Sequence, residues 1–392
     1  MSNAGEIGSE QGKAVAGRAN RKEKQVTPNR ETQPNARIKV VGVGGGGCNA
    51  VARMGKDQLF GVEYVCLNTD AQALMRTEAP VRMRIGDNLT RGLGVGGDPE
   101  RGRQAAEESR EELSDLLKDA DMIFIAAGMG GGTGTGASPV VAELAKAQNA
   151  LTVGVVTRPF TWEGAHRRKR AEEGIARLRE KVDTLLVIPN DALITICDRK
   201  VTMSNAFKMA DEVLRRSITA IAELITIPGE INLDFADVKT IMSNAGSAMM
   251  GIGTGTGDNR ATDAARAAIS NPLLDVSIEG AKGVLFNITG GDDLTLSEVH
   301  AAAEIISKAV DPDANIFFGM TTDHKMESEV KITLIATGFP TKDTVSTFTP
   351  ETLTRLIQDS RTPEERLDVP PFLRGKAQQL QMNDRRMPAY KS

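Results

Sequence analysis

"AAGMGGGTGTGAS", residues 126–138, decides how this chain is read. It follows a short apolar run, "DMIFI", and precedes "PVVAELAKAQ", whose pattern predicts a helix. Six of its thirteen residues are glycine, and Thr133, Thr135 and Ser138 are its only polar side chains. Glycine loses more conformational freedom on folding than any other residue and adds nothing to a core, so such a run is kept where backbone must approach something closely. A glycine turn that leaves a strand and enters a helix presents unpaired N–H groups and the positive end of the helix dipole, which suits a phosphate group.

A second stretch, "VVGVGGGGCNAV" (40–51), has the same design. Alone it is ambiguous. Gly42, Gly44 and Gly47 satisfy G-x-G-x-x-G, and Asp70 follows a second strand where the ribose ligand of a dinucleotide would stand. A nicotinamide-dependent oxidoreductase is therefore one reading, and a plain tight strand–helix turn is another. Two such loops in one sheet favour a longer phosphate chain gripped from both sides. Thr133 and Thr135 add hydroxyls, and no acidic side chain occurs before Glu143. The GxxxxGK[ST] pattern of a P-loop enzyme is absent.

The rest of the composition narrows the class. A chain of 392 residues suggests two domains, and 40% hydrophobic with 26% charged residues is ordinary for a globular protein. The net charge of −4 gives no basic field for nucleic acid. Cys48, Cys66 and Cys197 are far apart and only three histidines occur, which argues against a disulfide framework or a thiolate zinc site and fits a cytoplasmic protein. No apolar stretch approaches the ~20 residues of a membrane helix, and no signal-peptide core is evident.

Along the chain, residues 1–36 read as a disordered, mildly basic extension. From 37 to 202, short apolar runs ("RIKVVGVG", "VEYVCLN", "VRMRIG", "MIFIAAG", "LTVGVVT", "TLLVIPN") alternate with helical stretches, which predicts an α/β, Rossmann-like domain with a parallel sheet. One stretch, 98–120, reads as a single helix with Asp98 as N-cap and Pro99 at the first position. Residues 203–229 form a long amphipathic helix at the domain junction. Residues 230–340 read as a second, smaller α/β domain, 341–367 as a linker, and 368–392 as a tail. In that tail Val369, Pro370, Phe372, Leu373 and Arg374 form an isolated apolar motif of the kind a docking peptide requires.

Taken together, "GGGTGTG", the first glycine loop, "LNTDAQAL" (67–74) and "DVPPFLRGK" resemble the tubulin/FtsZ family, over about residues 37–340 and again at the tail. The resemblance implies a tubulin-like fold and a cytoplasmic GTPase at the midcell division site, whose subunits stack head to tail into the cytokinetic ring. It implies GTP/GDP with Mg2+ carried on the nucleotide, no protein-held metal site, and partners that include further copies, division regulators and a membrane-attached adaptor at the tail. A filament for DNA segregation or cell shape is the alternative within the superfamily. By the same resemblance, phosphate is held by Gly45, Gly46, Gly47, Cys48 and Asn49 with Gly132, Thr133 and Gly134. Gly96 and Gly97 belong to a loop, 92–99, that senses the γ-phosphate. Asp70 is a further nucleotide-binding residue, Glu163 and Arg167 fall at ribose and phosphate contacts, and Phe207 and Asp211 meet guanine. Read only as residues, Glu163 and Arg167 are an i,i+4 ion pair, Phe207 belongs to an apolar stripe, and Asp211 to a solvated face. Cys48 stands where many members have glycine and puts a thiol beside the phosphates.

Two further stretches require a decision. "GTGTG" recurs at 253–257, but Asp258 and Asp263 follow it, and carboxylates there would repel phosphate. In "INLDFADVKTIM" (231–242), Asp234 and Asp237 read as a capping pair ahead of a helix. The resemblance instead makes Asn232, Asp234 and Asp237 catalytic, reaching the GTP of the next subunit.

Overall fold

The computed structural model describes residues 36–55, 59–196, 202–227, 229–271, 278–326 and 328–339. Its ten strands are β1 Ile38–Val43, β2 Val62–Asn68, β3 Val81–Arg84, β4 Met122–Gly128, β5 Leu151–Arg158, β6 Thr184–Pro189, β7 Gly246–Thr256, β8 Gly283–Gly290, β9 Asn315–Thr322 and β10 Glu329–Thr337. The helices are α1 Gly44–Met54, α2 Ala71–Met75, α3 Asp87–Thr90, α4 Pro99–Glu108, α5 Arg110–Leu117, α6 Thr133–Ala147, α7 Ala165–Arg179, α8 Asn190–Ile196, α9 Met203–Thr226, α10 Phe235–Met242, α11 Arg260–Ile269 and α12 Leu296–Ala309.

All ten strands join one sheet in the order β3-β2-β1-β4-β5-β6-β7-β10-β8-β9. From β3 to β7 the neighbours are parallel. β10 then runs antiparallel to both β7 and β8, and β9 is parallel to β8. The chain builds outward from β1 to β3 and then crosses back to β4 on the other side of β1. The order therefore reverses between β1 and β4, and in open α/β sheets ligands bind outside the carboxyl ends of strands at such a point. Both glycine loops leave the sheet there, with Val43 level with Ala127.

Alternation along the strands separates two apolar layers. Val40, Cys66, Phe124 and Val155 face α1 and α9, while Val41, Val65, Ile123 and Ile125 face α5, α6 and α7. A third layer surrounds β8 and β10 under α11 and α12. The buried stripe of α9 carries Leu214, Ile218, Ile221 and Ile225, each worth about 2 kcal/mol when withdrawn from water. These residues share one core with Val238 and Met242 of α10 and Ile335 of β10. The regions on either side of α9 are thus joined by that core and by the pairing of β6 with β7.

The stretch read as one helix from 98 to 120 is two. Asp98 does cap α4, accepting from the Glu100 N–H at 2.9 Å, but the helix breaks at Ser109. The Ser109 hydroxyl accepts from the Gly86 N–H at 3.1 Å, which ties the break to the turn after β3.

The second "GTGTG" is strand β7. Its glycines alternate toward α11, and a Cβ on Gly251, Gly253 or Gly255 would lie 2.0–2.1 Å from the carbonyl oxygen of Ala268, Ala264 or Arg260. Their role is to let an alanine-faced helix lie directly on the sheet. Thr254 points outward and is exposed. Gly253→Ala should therefore lower stability by about 3 kcal/mol, by overpacking against backbone that cannot move aside. Thr254→Ala should leave both stability and nucleotide binding unchanged. Thermal unfolding of the two variants checks this, and a Gly253→Ala protein as stable as its parent would contradict it.

Candidate nucleotide site

The two glycine loops touch each other. A Cβ on Gly44, whose φ is +71°, would lie 2.7 Å from the Gly134 nitrogen, and one on Gly134 would lie 2.9 Å from the Gly128 oxygen. This approach brings together the amino ends of α1 and α6, where the first N–H groups of a helix have no partner inside it. Among the described residues, the N–H groups of Gly131 and Gly132 also find no backbone acceptor. The result is a lining of backbone donors with no carboxylate among them.

A cavity of about 260 Å³ opens on these donors. Gly44, Gly45 and Gly46 line one side of it, and Gly131, Gly132, Thr133 and Gly134 the other. The Thr133 and Thr69 hydroxyls hydrogen-bond at 2.7 Å. Thr135 does not line the cavity; its hydroxyl accepts from the Gly130 N–H at 2.8 Å and braces the turn. A larger concavity of about 770 Å³ runs along the edge strand β3, where Arg84 is engaged with Asp87, and Glu108 with the Asn88 and Leu89 N–H groups. The smaller cavity has the free donors and lies at the switch point.

Beyond the glycines the cavity passes Glu163 and Arg167 and reaches Asn190, Phe207, Ala210 and Asp211. Glu163 and Arg167 are indeed paired, at 3.0 Å. The Glu163 carboxylate also accepts from the Phe160 N–H at 2.9 Å, so its position is fixed from two directions. The Phe207 ring is 43% exposed, held edge-on by Phe160 and Trp162 at centroid distances of 6.0 and 5.7 Å. Asp211 is well covered and lies 3.2 Å from Arg53 of α1. Burial pushes its carboxyl up to about 6, and the Arg53 charge opposes that rise. Asn190 gives no signal in the sequence beyond its place at the end of β6. It is buried, and its side-chain carbonyl oxygen has no hydrogen-bond partner among the described residues.

Other expected residues lie elsewhere. Gly47 packs its α-carbon onto β4, where a Cβ would meet the Ala126 oxygen at 2.1 Å, and Asn49 is exposed outside the cavity. The Cys48 thiol is not beside the cavity. It is 1% exposed in the core and donates to the Leu67 carbonyl at 3.3 Å, because its position on α1 points the side chain back at β2. The neighbouring Cys66 and burial hold that thiol protonated. The Asp70 carboxylate caps α2, accepting from the Gln72 and Ala73 N–H groups at 2.9 and 3.0 Å. Gly96 and Gly97 do not line the cavity, but their loop packs on Gly132, where a Cβ would strike Val95 at 2.4 Å.

Asn232, Asp234 and Asp237 lie away from the cavity altogether. Asp234 and Asp237 cap α10 reciprocally, at 2.8 and 3.2 Å, and Asn232 accepts from the Gly229 N–H at 2.6 Å. Between Phe207 and Thr226, α9 rises about 28 Å. Ile231 then pairs with Met320 on the edge strand β9.

With this geometry in place, comparisons with known proteins agree on one family. Residues 37–198 match the GTPase domain of the tubulin/FtsZ family and 246–340 the FtsZ family C-terminal domain. An empty FtsZ dimer from M. jannaschii is 48% identical, with a TM-score of 0.74 over 78% of this chain and 89% of that one. The chain belongs to the tubulin/FtsZ family. A second structure of the M. jannaschii FtsZ, a tryptophan-to-tyrosine mutant, gives the same identity and score over 78% of this chain and 91% of that one. CetZ1 from Haloferax volcanii, at 21% identity and a TM-score of 0.69 over 81% of this chain and 99% of that one, shares the fold. Membership in this family implies GTP/GDP binding and GTPase activity and sets the oxidoreductase reading aside. Among the described residues, no helix is long and apolar enough to cross a membrane.

Asp211 offers a test that separates site from scaffold. An unfolded aspartate titrates near ~3.9, so a folded value of about 6 means that ionisation opposes folding. The stability this group contributes is full below ~3.9 and is lost as pH rises through about 6. Asp211→Asn should therefore raise the stability of the nucleotide-free protein at pH 8 by up to about 2 kcal/mol and change it little at pH 4. The same variant should bind GTP more weakly. Melting curves at both pH values, with and without GTP, check this; a variant less stable than its parent at pH 8 would contradict the account.

Proposed function

We propose that the chain is a GTP-hydrolysing cytoskeletal protein that assembles head to tail into filaments of the bacterial cytokinetic ring at midcell. One observation carries this reading: the cavity offers free N–H donors suited to a triphosphate, its two carboxylates, Glu163 and Asp211, are paired with Arg167 and Arg53, and the acidic loop lies at the far end of α9, about 28 Å away.

The triphosphate lies against the N–H groups of α1 and α6, Arg167 and Glu163 flank the ribose and phosphates, and the base stacks on Phe207. The Asp211 carboxylate accepts from guanine N1–H and its exocyclic amine, donors that adenine does not offer in that arrangement. Asn190 supplies a further amide that burial leaves in want of a partner. Among the described residues no carboxylate cluster suited to a metal stands at the glycine loops, so Mg2+ would be carried by the nucleotide, where it would neutralise phosphate charge.

A second copy stacked on the cavity would bring its Asn232, Asp234 and Asp237 to the γ-phosphate. There the carboxylates orient a water molecule whose oxygen attacks the γ-phosphorus while the bond to the β–γ bridging oxygen breaks. The water proton leaves through the carboxylate to phosphate, giving GDP and inorganic phosphate. The dimer described for the M. jannaschii relative supports self-association. The tail motif, Val369, Pro370, Phe372, Leu373 and Arg374, lies outside the described residues; its composition suits docking to a membrane-attached division adaptor.

Asp237→Ala should retain GTP and still assemble, yet turn over very little. Asp234→Ala should behave similarly and lose a further ~1 kcal/mol from the missing cap. Mixing Asp237→Ala with a variant unable to bind GTP should raise turnover above the sum of the two alone, because each supplies the half of the site that the other lacks. Phe372→Ala should leave turnover intact while abolishing adaptor capture. Full activity in Asp237→Ala, or no gain on mixing, would contradict the shared site.

A further inference from the structure

The two ends of α10 are held in different ways. Its amino end carries Asp234 and Asp237, which cap it reciprocally, so both carboxylates are fixed to the helix itself. The last four carbonyls of a helix have no partner inside it, and a glycine in left-handed backbone commonly closes that end. No such cap forms here, because Ser243 leaves α10 in extended backbone, with φ −69° and ψ 124°. The Ser243 N–H returns to the Lys239 carbonyl at 2.9 Å. The two carbonyls that follow Thr240 are met from a distance in sequence. Ile241 accepts from the Thr337 hydroxyl at 3.2 Å, and Met242 accepts from the Thr184 hydroxyl.

Both threonines are buried, so water does not stand in for either hydroxyl. They come from strands on opposite sides of α9 in the chain: Thr184 opens β6 and Thr337 closes β10. Gly283 of β8 makes room for the second, since a Cβ there would lie 2.6 Å from the Thr337 oxygen and 3.2 Å from the Ile241 side chain. Valine has the same branched shape and suits a strand as well, so packing alone does not call for a hydroxyl at either position. The carboxyl end of the helix that bears the acidic pair is thus fastened by two side-chain donors, one from each region.

We propose that Thr184 and Thr337 are positioning residues that, through the carboxyl end of α10, aim Asp234 and Asp237 at the nucleotide of a stacked copy. The inference rests on reading the acidic pair as half of a shared GTPase site. The eight residues of α10 rise about 12 Å, so a tilt of ~5° about the fastened end moves the carboxylates by ~1 Å. Misplacing a reacting or orienting group by about 1 Å can cost about a hundredfold in rate. The anchors act on the acidic half alone, so a copy that has lost one keeps its own cavity.

The test is GTP turnover per assembled subunit of the full-length protein, beside GTP binding to dilute protein. Thr337→Val and Thr184→Val each keep the side-chain shape and delete one hydroxyl. Each should lower turnover about tenfold and leave the Kd for GTP within about twofold. Thr337→Ser, which restores the donor, should recover most of the rate. Mixing Thr337→Val with a variant that cannot bind GTP but keeps its acidic loop should raise turnover above the sum of the two alone. A protein that merely folds poorly is not rescued in that way. Full turnover in both valine variants overturns the proposal, as does a loss of turnover and GTP binding in equal proportion with no gain on mixing. Asp237→Ala, measured alongside, separates the two levels. If it keeps full activity, the shared-site reading falls and this inference with it; if it is inactive while both valine variants are fully active, only this inference falls.

Discussion

The structure depends on two backbones passing within van der Waals contact at the β1/β4 switch point. Gly44 and Gly134 can lie where they do only because neither carries a Cβ. That approach aligns the amino ends of α1 and α6 on one cavity, so the binding charge is supplied by peptide dipoles. Such donors are fixed by the sheet, require no side-chain ordering and bring no competing carboxylate. The neighbouring glycines serve the same end: Gly132 admits Val95 of the adjoining loop, and Gly136 admits the Pro99 carbonyl of α4.

Under the proposed function, a site lined by donors holds the triphosphate, and its two carboxylates, Glu163 and Asp211, are already paired with Arg167 and Arg53. α9 resolves this by its length. Its first turns place Phe207 and Asp211 at the cavity, its middle fills the core beneath the sheet, and its end delivers the chain to the loop of Asn232, Asp234 and Asp237. One rigid helix thus keeps the proposed halves of the reaction apart within a copy and presents each half at an opposite end. In that arrangement a stacked partner is part of the chemistry.

Much of this is legible in the sequence, for physical reasons. β2 and β4 are readable with the bounds the structure gives, because strands buried on both faces are continuous apolar runs. β7 escapes such a reading because glycine is depleted in strands, and the reason it is a strand, close packing of α11, is a contact with residues further along the chain. The single helix expected at 98–120 fails at Ser109, whose partner Gly86 is distant in sequence. In the site, the glycine loops announce themselves, whereas Phe207 and Asp211 look like ordinary members of an amphipathic helix. What sets them apart is that these turns of α9 line the cavity, with Phe207 packed on Phe160 and Trp162. The direction of the Cys48 side chain, into the core, depends on how α1 lies on β2, and nothing in its neighbours along the chain states that. Asn190 is invisible for a similar reason, being distinguished only by an unmet carbonyl in a cavity that the chain assembles from six segments.

The most direct test of the divided site is GTP turnover per subunit measured across dilution. The account predicts a rate near zero at low concentration that rises steeply once copies stack. A rate per subunit that is the same at every concentration would place all of the chemistry within one chain and contradict it.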